Sequence, residues 1–186
     1  MSQGVPTQSA SAAELRIDWD QYYRLIERLA VQVHRSGYAF DCLLCLARGG
    51  LRAGDVLSRI FETPLGVLTV SSYREEGGTR RGELRIAADI SSLAPAPSGR
   101  VLLVDDLADS GETLEGVVHY LKGRHARITE LRTAVIWLKG CSKYRPDYFV
   151  SYLPDSPWIH QPFERYDHLR PAQIAQAIGD SDGAPQ

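Results

Sequence analysis

The run Val104–Leu114, VDDLADSGETL, gathers the residue types that a sugar phosphate needs. Adjacent carboxylates at Asp105 and Asp106 suit the hydroxyls of a ribose, or a magnesium ion bridging to them. Gly111 allows a tight backbone turn, and the small hydroxyl residues Ser110 and Thr113 flank it. A helix is expected to begin at Glu112. Its free N–H groups and dipole would make that turn a site for a phosphate monoester, with the hydroxyls as further donors. A surface turn whose aspartates only cap the helix is the competing reading. The full order of strand, acidic pair, third Asp, small-Gly-x-Thr and helix argues against it. The run lacks the Gly-Lys-Ser/Thr of a nucleotide P-loop and the GxGxxG of a dinucleotide fingerprint.

A second glycine-bearing turn, Ala47-Arg48-Gly49-Gly50, follows the apolar run Cys42–Leu46. A short uninterrupted apolar run is the mark of a strand buried on both faces. The same holds for Leu65–Val70, Val101–Val104, Leu131–Leu138 and Tyr148–Tyr152. Helices alternate with them. Asp18 is expected to cap a helix running to about Ser36, with Tyr22, Leu25, Ile26, Leu29 and Val33 on its apolar face and Gly37 ending it. Further helices are expected at Leu51–Phe61, Glu112–Gly123 and Pro171–Ile178. The polar, glycine-containing segment Ser71–Arg85 is expected to be a mobile loop, a candidate lid. Ser91–Gly99, with Pro95 and Pro97, is a turn-rich connector.

Strands alternating with helices predict an α/β fold: an open, mainly parallel twisted sheet flanked by helices. In such sheets ligands bind beyond the carboxyl ends of the strands. The turns after Leu46 and after Val104 therefore belong to one site.

The bulk properties exclude other classes. The 186 residues suit one compact domain with a real core. A formal net charge of −2 gives no electrostatic case for a nucleic-acid partner. No apolar run approaches the roughly 20 residues of a membrane span. Residues 1–14 read as a disordered leader without the features of a signal peptide, which points to the cytoplasm. Cys42 and Cys45 stand three apart on an expected strand and so face opposite sides. With Cys141 they make an odd count and no metal-ligand pattern. His34, His119, His125 and His168 lack metal-ligand spacing as well.

The chain resembles the type I phosphoribosyltransferases, most of all the bacterial xanthine-guanine and hypoxanthine enzymes of purine salvage. The similarity runs from Trp19 to Glu164. It is carried by Ala47-Arg48-Gly49-Gly50-Leu51, Ser71-Ser72-Tyr73, VDDLADSGETL and Trp158-Ile159-His160-Gln161-Pro162-Phe163-Glu164. It implies that phosphoribosyl diphosphate (PRPP) and a free 6-oxopurine react, with magnesium, to give a nucleoside 5′-monophosphate and pyrophosphate.

The resemblance also implies roles. Asp109, Ser110, Gly111, Glu112 and Thr113 would hold the 5′-phosphate. Asp105 and Asp106 would hold ribose hydroxyls, Asp106 also lying near magnesium. Asp109 would serve as general base for the purine N7. Arg48, Gly49, Ser72 and Tyr73 would bind pyrophosphate. Lys139 would recognise the 6-oxo group, and Trp158 and Ile159 would stack on and read the base. The domain would span 15–170, with a small hood at about 139–164 and a tail at 171–186, and the assembly would be a homodimer or homotetramer. His160, where another polar residue is expected, departs from the xanthine-guanine pattern. Two alternatives share the fold: a PRPP-binding regulatory protein, and a phosphoribosyltransferase for another base.

Overall fold

The computed structural model describes residues 14–74, 81–92 and 96–182. In chain order the elements are β1 (Glu14–Arg16), α1 (Trp19–Arg35), β2 (Cys42–Ala47), α2 (Leu51–Ile60), β3 (Leu65–Arg74), β4 (Arg81–Ile86) and β5 (Gly99–Val104). They continue as β6 (Leu107–Ala108), α3 (Glu112–Arg124), β7 (Ile128–Lys139), β8 (Tyr148–Leu153), β9 (Trp158–His160), α4 (Arg165–His168) and α5 (Pro171–Asp182). They form two compact units, Tyr23–Ser156 and a smaller one of Met1–Tyr22 with Pro157–Gln186.

The larger unit is built on one sheet with strand order β4-β3-β2-β5-β7-β6, and β8 also pairs with β7. Every pairing is parallel except β3 with β4. The central strands are apolar throughout because helices cover both faces of such a sheet. Leu43, Leu44, Cys45, Val101, Leu102, Leu103 and Val104 are all fully buried. Helix α3 adds Leu114, Val117 and Leu121 to the same core. Helix α2 adds Ala53, Gly54 and Leu57, and a Cβ at Gly54 would stand 2.5 Å from the Cβ of Cys45. Beyond Tyr22, α1 buries Ile26, Leu29, Ala30 and Val33, the expected face. Gly37 follows it with φ of 71°, a left-handed turn that glycine adopts without strain.

In the smaller unit β1 pairs in parallel with β9. The first turn of α1 is closed by a reciprocal cap. The Gln21 N–H donates to Asp18 Oδ1 at 2.7 Å, and the Asp18 N–H donates to Gln21 Oε1 at 3.0 Å. Tyr22 packs edge-on against Trp19 and Phe163, with ring centroids 6.3 and 5.7 Å apart.

Three expectations change. Ser71–Arg85 is not a loop along its length: β3 runs on to Arg74 and β4 begins at Arg81, the two pairing antiparallel. An edge hairpin needs only one apolar face, so a polar composition does not exclude strands. Leu84 of β4 packs onto α3 so closely that a Cβ at Gly116 would meet its Cδ2 atom. The tip, 75–80, lies outside the described residues. The expected leader of residues 1–14 meets a strand at Glu14, its other residues lying outside the described ones. The tail helix runs to Asp182 rather than Ile178. Among the described residues no helix is long and apolar enough to cross a membrane.

Candidate active site

The site of the larger unit is made by neighbouring strand ends. β2 and β5 pair in register, Cys45 opposite Val104. The turn after β2 and the acidic pair after β5 therefore emerge side by side. The Ala47–Arg48 peptide bond at this point is cis. A Cβ at Gly49 would lie 2.5 Å from Asp106 Oδ1 and 3.1 Å from Asp105 Oδ1. A Cβ at Gly50 would lie 2.5 Å from the Val104 carbonyl. Both positions need glycine because the turn lies directly against the acidic pair. A cavity of about 170 Å³ opens here, lined by Leu46, Ala47, Arg48, Gly49, Val70, Asp105, Asp106 and Thr113. Pockets that enclose a drug-sized ligand hold about 300–1,000 Å³, so this one suits a fragment such as a sugar or a phosphate.

Asp105 and Asp106 differ in surroundings. Asp105 Oδ1 accepts the Asp106 N–H at 2.9 Å, and the Gly50 N–H also donates to its carboxylate. Burial, and then the neighbouring charge of Asp106, push its carboxyl well above the usual carboxylate range. The Asp106 carbonyl accepts from the N–H groups of Ile136 and Trp137, which ties the loop to β7.

Strand β6 continues that tie, with Leu107 opposite Trp137 and Ala108 opposite Leu138. The next residues on the two chains are Asp109 and Lys139. Lys139 Nζ lies 3.1 Å from Asp109 Oδ1. The Cys141 thiol donates to the Asp109 carbonyl at 3.5 Å. Sequence reading gave this cysteine no part in the site. Its spacing two residues beyond Lys139 was the available signal.

The turn into α3 has the expected form. Gly111 is the N-cap with φ of 81°. A Cβ there would also lie 2.5 Å from Ser142 Oγ and 2.6 Å from the Tyr144 nitrogen. The Lys143 N–H donates to the Ser110 carbonyl at 2.9 Å, so the segment after Lys139 braces the turn. Ser110 Oγ accepts the Glu112 N–H at 3.4 Å. Glu112 and Thr113 occupy the first turn, and Thr113 reaches the cavity.

The remaining expected residues fall elsewhere. Ser72 and Tyr73 are in β3, where the Ser72 backbone pairs with Leu84 and the register shifts before Arg74. The expected hood is divided: Lys139 ends β7 in the larger unit, and Trp158 and Ile159 form β9 in the smaller. Trp158 is 56% exposed, whereas Ile159 is buried. Among the described residues no cluster of three or more His, Cys, Asp or Glu could hold a metal ion on its own.

A mainly parallel α/β sheet with an acidic pair, a glycine turn and a helix N-terminus at its carboxyl edge has the chemistry suited to a phosphorylated sugar. The profile of the phosphoribosyl transferase domain family matches residues 18–168. The chain belongs to that family, and its class is that of the PRPP-dependent glycosyltransferases. It is similar to the xanthine-guanine phosphoribosyltransferase of Idiomarina loihiensis, 24% identical over 159 residues, covering 85% of this chain and 91% of that one. Among solved structures it is similar to a purine phosphoribosyltransferase from Pyrococcus horikoshii, with 31% identity and a TM-score of 0.66. That match covers 81% of this chain and 93% of the other. The Helicobacter pylori xanthine-guanine-hypoxanthine phosphoribosyltransferase shares the fold, with a TM-score of 0.69 at 23% identity, covering 89% of this chain and 99% of that one.

Proposed function

We propose that the protein transfers the 5-phosphoribosyl group of PRPP to a free 6-oxopurine: guanine, xanthine or hypoxanthine. The Lys139–Asp109 pair carries this reading, with a cation and a carboxylate 3.1 Å apart beside the sugar-phosphate loops. A 6-oxopurine offers complementary atoms along one edge. Its 6-oxygen accepts from the Lys139 ammonium, and the N7–H on the same edge gives its proton to Asp109. A 6-amino purine presents no comparable acceptor to the lysine. The names of the relatives from Idiomarina loihiensis and Pyrococcus horikoshii point the same way.

In this reading N9 of the purine forms a bond to the anomeric carbon of PRPP. The bond from that carbon to the pyrophosphate oxygen breaks, and its electron pair leaves with pyrophosphate. The proton on N7 passes to Asp109 as N9 bonds, which leaves the purine of the product neutral. The α3 N-terminus holds the 5′-phosphate through Ser110, Gly111, Glu112 and Thr113. Asp105 and Asp106 hold ribose hydroxyls. Arg48, Gly49, Ser72 and Tyr73 hold the leaving pyrophosphate, and Trp158 and Ile159 hold the base.

Magnesium suits this residue set, because the neighbouring carboxyl residues Asp105 and Asp106 both line the cavity beside the glycine turn. A magnesium ion bound through one or two carboxylates and substrate oxygens would neutralise charge on the departing pyrophosphate. Asp106 would be its protein ligand. A cytoplasmic homodimer or homotetramer completes the proposal, and light scattering reads its mass.

The test is turnover with PRPP, magnesium and single free bases. Product with at least one 6-oxopurine, and none with orotate, uracil or adenine, is expected. Product only with one of the latter bases overturns the purine assignment. Tight PRPP binding without product from any base would favour a regulatory protein instead.

A further inference from the structure

The β1–β9 ribbon of the smaller unit has two unlike faces. Glu14 pairs with Trp158, Leu15 with Ile159, and Arg16 with His160. Side chains alternate along a strand, so Leu15 and Ile159 share one face and the other residues share the opposite face. Ile159 is 3% exposed on the first face, whereas Trp158 is 56% exposed on the second. An indole in that state presents a broad apolar plane suited to a planar heterocycle.

The second face is also cross-linked. The His160 ring stands edge-on to Trp158, with centroids 6.4 Å apart at an interplanar angle of 65°. His160 Nε2 lies 3.1 Å from Glu14 Oε2, and Arg16 Nη2 lies 3.0 Å from the same oxygen. The Ile17 N–H donates to the His160 carbonyl at 3.0 Å. A neutral imidazole with its proton on Nε2 can donate to Glu14, so the link does not require a charged ring.

We infer that Glu14, acting through His160, orients the Trp158 indole as the platform for the purine base, which makes Glu14 and His160 positioning residues for acceptor recognition. This rests on the base-binding role proposed for Trp158. The residues proposed for PRPP belong to other elements, following β2 and β5, within β3 and opening α3. Loosening the indole therefore affects the base and not the donor. Removing Glu14 frees the imidazole to rotate. The indole then loses its fixed edge partner, and base binding must order it.

Steady-state kinetics of wild type, Glu14→Ala, Glu14→Gln, His160→Ala and the Glu14→Ala/His160→Ala double variant test this. Each is measured with PRPP, magnesium and guanine, xanthine or hypoxanthine. Glu14→Ala and His160→Ala are each expected to raise KM for the base about five- to tenfold, the loss of one hydrogen bond's worth of ordering. KM for PRPP should stay within about twofold. Glu14→Gln should restore most of the effect, since its amide oxygen still accepts from Nε2. The double variant should be no worse than either single one, because both break the same link.

Unchanged base KM in Glu14→Ala, equal rises in both KM values, or additive single effects would each overturn the inference. Glu14 is exposed, so its substitution leaves the fold intact, and matched melting curves check this. A wild type that turns over no 6-oxopurine overturns the proposed function and this inference together. A wild type that does so while Glu14→Ala matches it overturns this inference alone.

Discussion

Lys139 Nζ lies 3.1 Å from Asp109 Oδ1 because the register of β6 on β7 leaves the two residues adjacent at the strand ends. The lysine side chain is only 7% exposed and the aspartate side chain is 53% exposed. The carboxylate is thus the more open half of the pair and the ammonium the more enclosed. A cation and a carboxylate side by side suit the proposed base, which would be recognised and deprotonated along one edge.

Asp109→Asn removes the proton acceptor and keeps the size. It is expected to lower kcat by about 10²–10⁴-fold. PRPP binding, followed by titration calorimetry, should change little. Unchanged turnover would remove Asp109 as the base.

Lys139→Met keeps the buried stem and deletes the charge. A hydrogen bond to a charged group contributes about 1.5–3 kcal/mol. The expected result is a fall of about 10- to 150-fold in kcat/KM for the 6-oxopurine, with KM for PRPP unaffected. Equal losses for donor and acceptor would place the lysine's effect on the scaffold instead.

Much of this arrangement was legible in the sequence. The apolar runs that became β2 and β5 are buried on both faces, and such strands carry an unmistakable pattern. The Asp18 cap and the Tyr22–Val33 stripe marked α1. The chemistry-bearing loop was legible because its residues are contiguous. β4 was not, since an edge hairpin needs only part of its surface apolar, and Leu84 and Ile86 stand among charges. β1 was not, since Glu14-Leu15-Arg16 is a strand only by virtue of a partner far along the chain, at Trp158. Cys141 was missed because its contact with Asp109 depends on how the turn after β7 folds.

Gly49→Ala would push a methyl group into Asp106 Oδ1, at 2.5 Å. Asp106 would have to move. Overpacking of this kind costs about 1–3 kcal/mol, readable by urea denaturation. PRPP binding should weaken by about tenfold or more, since loss of a well-placed charged contact is of that order. Binding at wild-type strength would show that the close approach of turn and carboxylate has no part in donor recognition.

The raised carboxyl of Asp105 makes a pH-dependent prediction. Its folded-state value lies above that of the unfolded chain. As pH rises through the unfolded value, about 3.9 for Asp, the unfolded chain releases a proton that the folded chain keeps. Stability therefore falls with rising pH through that window. Asp105→Asn should be more stable than wild type at neutral pH, with the difference shrinking below about pH 4. Its PRPP affinity should drop. Denaturation curves at pH 3.5 and pH 7 decide the point, and a gain of equal size at both values would contradict the assignment.

The most direct test of the central claim is one turnover assay with PRPP and magnesium across guanine, xanthine, hypoxanthine, adenine, orotate and uracil. The Asp109–Lys139 edge predicts a nucleoside 5′-monophosphate and pyrophosphate from at least one of the first three bases and none from the rest. Product confined to adenine, orotate or uracil would contradict it.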